Sequence, residues 1–284
     1  MEKIAVVTDT GSNLSFAQAK ELGIYLLPLQ ITIDETTYQD TLEISTQDIY
    51  KELANGKMPK TSMAAYQKIY DLFEELKKEY DTVFAIPLTN GLSTNASTMQ
   101  SIARELEMNV HVIDMYATCA LEKHVAIWIK KLVDEHKSSE EILKIIQPAI
   151  DESNSLILVK NLQHLKRGGR LTPMAAALAS LLKIYPVLHI NKSTEGRIDV
   201  LNKVRTEKRA DAYAIDKIMD DIDIEHTVIY IIHSNFLEGA DHFKKCFIEK
   251  GVPEQNIHID YISSVIAVHT GLGCIAIQYI REEN

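Results

Sequence analysis

The first half of the chain alternates short apolar runs with amphipathic segments. Short apolar runs bounded by turn residues are typical of buried strands, and apolar residues at helical spacing indicate the helices between them. The pattern predicts strands at 4–7, 25–33, 81–87 and 110–113. It predicts helices at 15–22, 49–54, 66–79, 119–135 and 139–150, and a further helix that follows the loop 88–95 and ends near residue 106. Strands and helices in this order predict a parallel sheet with helices on both faces.

Polar residues follow three of these strands at the point where each strand ends. Thr8, Asp9 and Thr10 follow the first strand, residues 89–93 follow the strand at 81–87, and Asp114 follows the strand at 110–113. The carboxyl ends of parallel strands meet at one edge of a sheet, where open α/β sheets bind their ligands. We therefore expect these polar residues to converge in space.

The second half of the chain has a different rhythm, in which strands are more frequent. It predicts strands at 156–159, 185–190, 197–204, 227–233, 257–262 and 274–280, with helices at 173–182, 208–222 and 238–250. This order is typical of an α+β domain. The polar stretch 151–154 predicts the boundary, which gives an N-terminal α/β domain of residues 1–153 and a C-terminal α+β domain of residues 154–284.

Charge and cysteine content limit the classes of partner and the compartment. A formal net charge of −10 argues against nucleic acid as the main partner and against stable adsorption to anionic lipid. No apolar stretch approaches the roughly 18 residues of a membrane span, so we expect no stable membrane insertion. Residues 1–7 predict a strand rather than a signal peptide, and Cys119, Cys246 and Cys274 are an odd, widely spaced set. We expect reduced thiols and a cytoplasmic protein.

Familiar catalytic motifs are missing from the sequence. There is no phosphate-binding Gly-x-x-x-x-Gly-Lys-Ser/Thr loop, no Gly-x-Gly-x-x-Gly, no His-Glu-x-x-His and no Gly-x-Ser-x-Gly. The ten histidines are dispersed, without metal-ligand spacing. We therefore expect no metal, no cofactor and no catalytic residues, which favours a binding protein over an enzyme.

The segment 161–171 contains Gly168, Gly169 and Arg170 directly after a periodic apolar stretch. Adjacent glycines allow positive φ and a close backbone approach to a ligand or another chain segment. An arginine fixed there offers a planar fork of donors for a carboxylate or phosphate. An ordinary helix C-cap followed by a solvated arginine is the alternative interpretation.

Three further loops carry hydroxyls or glycines near predicted helix starts. Thr61 and Ser62 precede a helix and are candidates for capping it. Ser93 lies between a strand and a helix, where a hydroxyl and free N–H groups form a natural anion site, although a plain N-cap explains it equally well. His269 and Thr270 enter a glycine-bearing turn, where a structural histidine is the simpler interpretation.

These segments together resemble the DegV family of bacterial two-domain lipid-binding proteins, along nearly the whole chain. The matching segments, in order, are Thr8-Asp9-Thr10, Thr61-Ser62, Gly91-Leu92-Ser93, Leu162 to Arg170 with its Leu-x-x-Leu-x-x-Gly-Gly-Arg pattern, Lys203-Val204-Arg205, and His269-Thr270-Gly271-x-Gly273. The chain departs from the family pattern after two of them. Met63-Ala64-Ala65 replaces the usual Gln-Pro, and Thr94-Asn95-Ala96 replaces Gly-Thr-Tyr.

The resemblance implies a Rossmann-like N-terminal domain, a C-terminal α+β domain and a ligand tunnel between them that holds a long-chain fatty acid. It also implies that Thr61 and Ser93 bind the carboxylate together with His269 and Thr270, while Gly168, Gly169 and Arg170 lie near the headgroup. Some members present the acid to a separate ATP-dependent fatty acid kinase and then carry the acyl phosphate. The helix at 173–182 is a candidate wall for the acyl chain, and an ordinary core helix is the alternative interpretation.

Two other functions remain open from the residues alone. The first is an autonomous small-molecule phosphotransferase or hydrolase that uses Asp9, Asp114 and Ser93 as acid, base or nucleophile, because strand-end carboxylates are often catalytic. The second is a carrier for a different apolar acid. Buried carboxylates need hydrogen-bond partners and acyl chains need a dry groove, so either kind of carrier fits the same residues.

Overall fold

A computed structural model describes residues 2–179 and 184–282 of the chain. The strands of the first half are β1 (Ile4–Asp9), β2 (Tyr25–Leu27), β3 (Gln30–Ile33), β4 (Thr36–Gln39), β5 (Lys60–Ser62), β6 (Thr82–Ile86) and β7 (Val110–Val112). Its helices are α1 (Phe16–Leu22), α2 (Thr46–Ala54), α3 (Tyr66–Leu76), α4 (Asn95–Glu105), α5 (Ala120–Asp134) and α6 (Ser139–Glu152).

The predicted parallel sheet is confirmed. Its strand order is β2-β1-β6-β7, and each neighbouring pair runs parallel. Every residue of β1 and β6 is buried, as near-continuous apolar runs covered on both faces require. The carboxyl ends of β1 and β6 lie side by side, because Thr8 pairs with Ile86.

The single strand predicted at 25–33 is wrong, because the chain changes sheet in its middle. Pro28 has no N–H for a strand ladder, and the next N–H, that of Leu29, donates to the Thr10 hydroxyl at 3.1 Å instead. β2 therefore stays in the parallel sheet, while β3 forms a separate antiparallel sheet with the order β4-β3-β5. This small sheet matters for the site because it carries Thr61, which pairs with Ile31.

The second half forms a mixed sheet with the order β10-β9-β8-β13-β11-β12. Its strands are β8 (Asn154–Leu158), β9 (Tyr185–Ile190), β10 (Asp199–Val204), β11 (Thr227–His233), β12 (Ile257–Tyr261) and β13 (Ile275–Arg281). Its helices are α7 (Leu162–Gly168), α8 (Pro173–Leu178), α9 (Glu207–Asp221), α10 (Leu237–Glu249) and α11 (Ser264–Thr270). The α/β fold class is confirmed, and the exact boundary after residue 153 stays a prediction.

Two helices of the second half differ from the sequence expectation. The helix predicted at 173–182 is described only as α8, and residues 180–183 lie outside the described residues. The glycine-bearing turn predicted at 269–273 is present at Leu272 and Gly273, but His269 and Thr270 precede it as the last turn of α11. Val265, Ile266 and Val268 are β-branched and disfavour a helix in isolation, but α11 packs against α7 and α2, and this packing overrides the local preference.

The apolar core is continuous between the two halves. One cluster of buried side chains joins Val7 and Phe73 of the first half to Ile157, Leu188 and Ala276 of the second. Buried hydrogen bonds also cross the junction, such as the Tyr50 hydroxyl to the Ile262 carbonyl at 2.7 Å. Within the described ranges, no helix is long and apolar enough to cross a membrane.

Candidate functional site

The two glycines at the end of α7, Gly168 and Gly169, are needed for different structural reasons. Gly169 is the helix C-cap, with φ 73° and an N–H bonded to the Lys166 carbonyl, and a Cβ there would meet nothing within 4 Å. Gly168 lies against α11, where a Cβ would come within 3.0 Å of Nδ1 of His269. Both interpretations of the glycine pair are therefore right, each for one residue: Gly169 ends the helix, and Gly168 allows the close approach of His269.

His269 and Thr61 meet although they are 208 residues apart. The Thr61 hydroxyl lies 2.7 Å from Nε2 of His269, and Nδ1 of the same ring lies 3.2 Å from the Gly168 carbonyl oxygen. Burial of the ring, with a smaller contribution from the Arg170 charge, lowers the pKa of His269 to about 4. The ring is therefore neutral at neutral pH.

The capping role considered for Thr61 and Ser62 is wrong. Both residues lie in β5, and the N-cap residue of α3 is Ala65, which makes no side-chain capping bond. The Thr61 side chain is bonded to His269, while the Ser62 hydroxyl donates to Oε1 of Gln30 at 3.1 Å.

Ser93 lies just before α4, on the loop that follows β6. The N-cap residue is Thr94, but the Ser93 hydroxyl oxygen accepts the N–H of Asn95 at 3.2 Å. The Ser93 hydroxyl hydrogen has no acceptor among the described residues. A hydroxyl donor and the positive end of a helix dipole thus coincide at this point, which suits an anionic oxygen.

Arg170 reaches the same loop as Ser93, and its side chain is held by backbone carbonyls. Its Nη1 donates to the Gly168 carbonyl at 2.9 Å and its Nε donates to the Leu92 carbonyl at 3.4 Å. No carboxylate pairs with it anywhere in residues 2–179 and 184–282. Burial lowers the pKa of Arg170, since its charge is half removed from water without an acidic partner.

A cavity of about 550 Å³ brings these groups together. Residues of both halves line it, among them Thr61, Ser93, Gly169, Arg170, Arg197, His269 and Thr270. Thr270 contributes mainly its apolar part, because its hydroxyl donates to the Ile266 carbonyl at 3.2 Å. The sequence-predicted headgroup residues therefore share one cavity, with Gly168 directly behind His269.

Gly91, which lines the cavity, lies against Gly196 of the second half, a contact that the sequence did not reveal. A Cβ on Gly91 would lie 2.1 Å from the carbonyl carbon of Gly196, and a Cβ on Gly196 would lie 2.0 Å from the Thr89 hydroxyl. Gly196 also has φ 71°. The loop after β6 is therefore in direct contact with the turn before β10. Arg197 follows this turn and lines the cavity. The sequence signal available for this contact was one glycine in each half of the chain, Gly91 and Gly196.

A second, small and mostly apolar space, here called the apolar passage, adjoins the cavity on the side of the mixed sheet. It shares Leu92, Ile198, Ile266 and Thr270 with the cavity, and its free volume is about 30 Å³. Its further lining includes Ile157, Ile190, Ile232, Ile262, Cys274 and Ala276, together with the polar residues Thr118, Ser155 and Gln278. The cavity that contains the predicted headgroup residues therefore adjoins a mostly apolar space.

The predicted convergence of the strand ends is confirmed. The two carboxylates considered for catalysis, Asp9 and Asp114, accept hydrogen bonds there. Asp9 accepts the N–H of Gly11 at 2.8 Å, the N–H of Leu88 at 2.9 Å and the amide of Asn95 at 2.6 Å. Asp114 accepts the N–H of Asn90 at 3.0 Å. Both carboxylates accept hydrogen bonds from backbone or side-chain donors, and neither lines the cavity that contains Ser93.

A buried acid lies beside Asp9, away from the cavity. Glu122 is fully buried, and burial together with the Asp9 charge raises its pKa well above the ordinary value. The Thr8 hydroxyl donates to its Oε1 at 3.1 Å. No group of three or more His, Cys, Asp or Glu side chains suited to a metal ion occurs in the described part of the chain.

Comparison with known proteins bears directly on these features. The family profile described as "Uncharacterised protein, DegV family" matches residues 3–282. The chain belongs to the DegV family. A DegV domain-containing protein of Halalkalibacterium halodurans is 32% identical over 289 residues, with complete coverage of both chains.

Solved structures of DegV proteins share the fold. A fatty acid binding DegV family protein from Streptococcus agalactiae superposes with a TM-score of 0.91 at 30% identity, covering 100% of both chains. DegV of Bacillus subtilis, described as a fatty acid binding protein, gives a TM-score of 0.86 at 28% identity, covering 99% of this chain and 100% of that one.

Proposed function

We propose that this chain binds a long-chain fatty acid, with the carboxyl group in the cavity and the acyl chain in the apolar passage. Ser93, Thr61, His269 and Thr270 would surround the carboxyl group, and Arg170 would neutralise its charge. Two DegV relatives described as fatty acid binding support this ligand class. The acyl chain would have to widen the passage, whose free volume is about 30 Å³.

The observation that carries the proposal is the pair of unused donors at the start of the passage. The Ser93 hydroxyl hydrogen and part of the Arg170 guanidinium have no acceptor among the described residues. Donors that face a cavity without a protein acceptor are available to a ligand that supplies one. The apolar lining behind them favours a ligand with a long hydrocarbon tail.

The chain would act as a carrier that presents the carboxylate to a separate ATP-dependent fatty acid kinase and then holds the acyl phosphate. Its sequence has no nucleotide-phosphate loop of its own, and Arg170 and Arg197 both line the cavity rather than pairing with acids. An incoming phosphoryl group would meet these two cations. A cytoplasmic location, where ATP is available, is part of the same proposal.

Ligand affinity tests the headgroup residues. Ser93→Ala with Thr61→Ala removes two hydroxyls from the carboxyl group, and hydrogen bonds to charged groups contribute about 1.5–3 kcal/mol each. We expect oleate affinity to fall by roughly 100-fold or more. Ser97→Ala is the matched control, because this hydroxyl is exposed on α4 and donates to the Thr94 carbonyl. Equal affinities for all three proteins would show that the carboxyl group lies elsewhere.

Phosphorylation tests the carrier role separately. With a fatty acid kinase and ATP present, and with oleate at a concentration that saturates the variant, we expect Arg170→Ala to reduce acyl phosphate formation at least tenfold. Arg167→Ala is the control, since this arginine is exposed and does not line the cavity. Turnover of ATP or a phosphate ester by the isolated protein, abolished by Asp114→Asn, would instead support the autonomous enzyme.

A further inference from the structure

The mostly apolar passage contains a polar patch, formed by the buried residues Thr118, Ser155 and Gln278. Ser155 of β8 and Gln278 of β13 lie directly opposite each other, and the next pair on the same face of the sheet is Ile157 and Ala276. Residues two apart along a strand are separated by about 7 Å. Gln278 lies farther along β13 than Ala276, so the polar patch lies on the side of the passage away from the start of this strand.

The side chain of Gln278 orients the other two polar residues. Its Nε2 donates to the Thr118 carbonyl at 3.0 Å and to the Ser155 hydroxyl oxygen at 2.9 Å, while its Oε1 accepts the N–H of Ala120 at 3.1 Å. A carbonyl can only accept and a backbone N–H can only donate, so these partners fix which way the amide points. Both amide hydrogens are used, and Gln278 is therefore a positioning residue.

Ser155 and Thr118 keep hydrogen-bonding capacity that the protein does not use. The Ser155 oxygen accepts from Gln278, and the hydrogen of the same hydroxyl has no acceptor among the described residues. The Thr118 hydroxyl has no oxygen or nitrogen partner in residues 2–179 and 184–282, and its polar neighbour is the buried Cys119 thiol. Ser155 is 1% exposed and Thr118 is 6% exposed, so bulk water does not serve them. Buried hydroxyls without partners are costly unless a ligand supplies the missing bonds.

The backbone beside the polar patch is strained. Cys119 has φ 54° and ψ −117°, a combination that residues with a side chain rarely adopt. Gln278 binds the carbonyl of the preceding residue and the N–H of the following one, and so holds this conformation in place. Strain that the surrounding structure maintains is typical of ligand-binding positions. The polar patch is thus kept at a cost in stability, although apolar side chains would fill the same space without it.

We propose that the polar patch is a subsite for a hydroxyl group on the distal half of the acyl chain, which makes a hydroxylated long-chain fatty acid the preferred ligand. The inference rests on the proposed function, because it places the carboxyl group in the cavity. The ligand hydroxyl accepts the Ser155 hydrogen and donates to the Thr118 hydroxyl oxygen. The free volume of about 30 Å³ is about the share of one water molecule in the liquid, and so accommodates a hydroxyl group.

Ricinoleate and oleate are a matched pair of ligands, since ricinoleate is oleate with one hydroxyl group added in its distal half. Oleate would bury the Ser155 hydrogen against methylene groups, whereas ricinoleate supplies an acceptor and a donor. We expect the wild-type protein to bind ricinoleate about tenfold more tightly than oleate, as two neutral hydrogen bonds of modest net strength imply. Competition against a fluorescent fatty acid, with every lipid below its aggregation concentration, measures both dissociation constants.

A second pair of ligands controls for added polarity as such. α-Hydroxystearate carries its hydroxyl group beside the carboxyl group, far from the polar patch. We expect it to bind no more tightly than stearate. An equal gain in affinity from either hydroxyl position would overturn the proposal.

Two variants locate the subsite. Ser155→Ala removes the unused donor, and Thr118→Val removes the acceptor while it keeps the shape of the side chain. Each should bind ricinoleate and oleate with dissociation constants within about threefold of each other. Ser153→Ala is the matched control and should keep the wild-type preference, because this buried serine donates to the Ile150 carbonyl at 2.9 Å and does not line the passage.

The outcomes separate the inference from the proposed function. Wild-type protein that binds ricinoleate no more tightly than oleate would overturn the inference while fatty acid binding stands. A preference for ricinoleate that persists in both Ser155→Ala and Thr118→Val would overturn it as well, and urea unfolding establishes that each variant is folded. Failure of all four lipids to bind the wild-type protein would instead reject the proposed function.

Discussion

The contact between Gly91 and Gly196 beside the cavity predicts how alanine substitutions change stability and oleate affinity. In Gly91→Ala the new Cβ would lie 2.1 Å from backbone atoms of Gly196, which cannot rotate away as a side chain can. Overpacking of this kind costs about 1–3 kcal/mol. In Gly196→Ala a left-handed φ of 71° adds strain of about 1–2 kcal/mol to a clash with Thr89.

The chain offers a control for the strain alone. Gly56 has φ 81°, and a Cβ at this position would meet nothing within 4 Å, so Gly56→Ala should cost only about 1–2 kcal/mol. Urea unfolding measures each change as a shift of midpoint at constant slope. We expect Gly196→Ala to be the least stable of the three variants. Gly91→Ala and Gly196→Ala should also lose oleate affinity, while Gly56→Ala should keep it. Wild-type stability in Gly91→Ala would refute the close approach.

Three further predictions concern buried polar groups. Because burial raises the pKa of Glu122, the folded protein keeps a proton that the unfolded chain loses above about pH 4.5, so wild-type stability falls as pH rises above that point. Glu122→Gln should therefore gain stability relative to wild type as pH rises above about 4.5 in thermal melts, and parallel curves for the two proteins would contradict this. Asp9→Asn should cost about 1–3 kcal/mol in urea, because an amide hydrogen then faces the Leu88 or Asn95 donors, while oleate affinity stays unchanged. Tyr50→Phe should cost about 1 kcal/mol by removing a buried bond, and an unchanged urea midpoint would count against it.

The N-terminal sheet could be predicted from sequence because its signals are local. The apolar run of β1, the Ser45 N-cap of α2 and the polar strand ends each occupy a few consecutive residues. Pro28 was such a local signal too, but its consequence depends on where the Leu29 N–H finds a partner, and that partner is Thr10. Which sheet a segment joins is decided by contacts distant in sequence.

The headgroup residues could be named from sequence, but their arrangement could not. Thr61 belongs to a three-residue polar strand that exists only because it pairs with β3, so its sequence resembled a helix cap. His269 belongs to a β-branched segment that becomes helical only on packing against α7. The bond between these two side chains, and the use of Gly168 to orient the ring, follow from tertiary contacts alone.

The most direct test of fatty acid binding is to extract the purified protein with organic solvent and identify the extract by mass spectrometry. We expect about one long-chain fatty acid per protein molecule, and far less from the protein carrying both Ser93→Ala and Thr61→Ala. A protein that yields no fatty acid, and that also fails to bind added oleate, would contradict the proposed function and return attention to Asp114 and the autonomous enzyme.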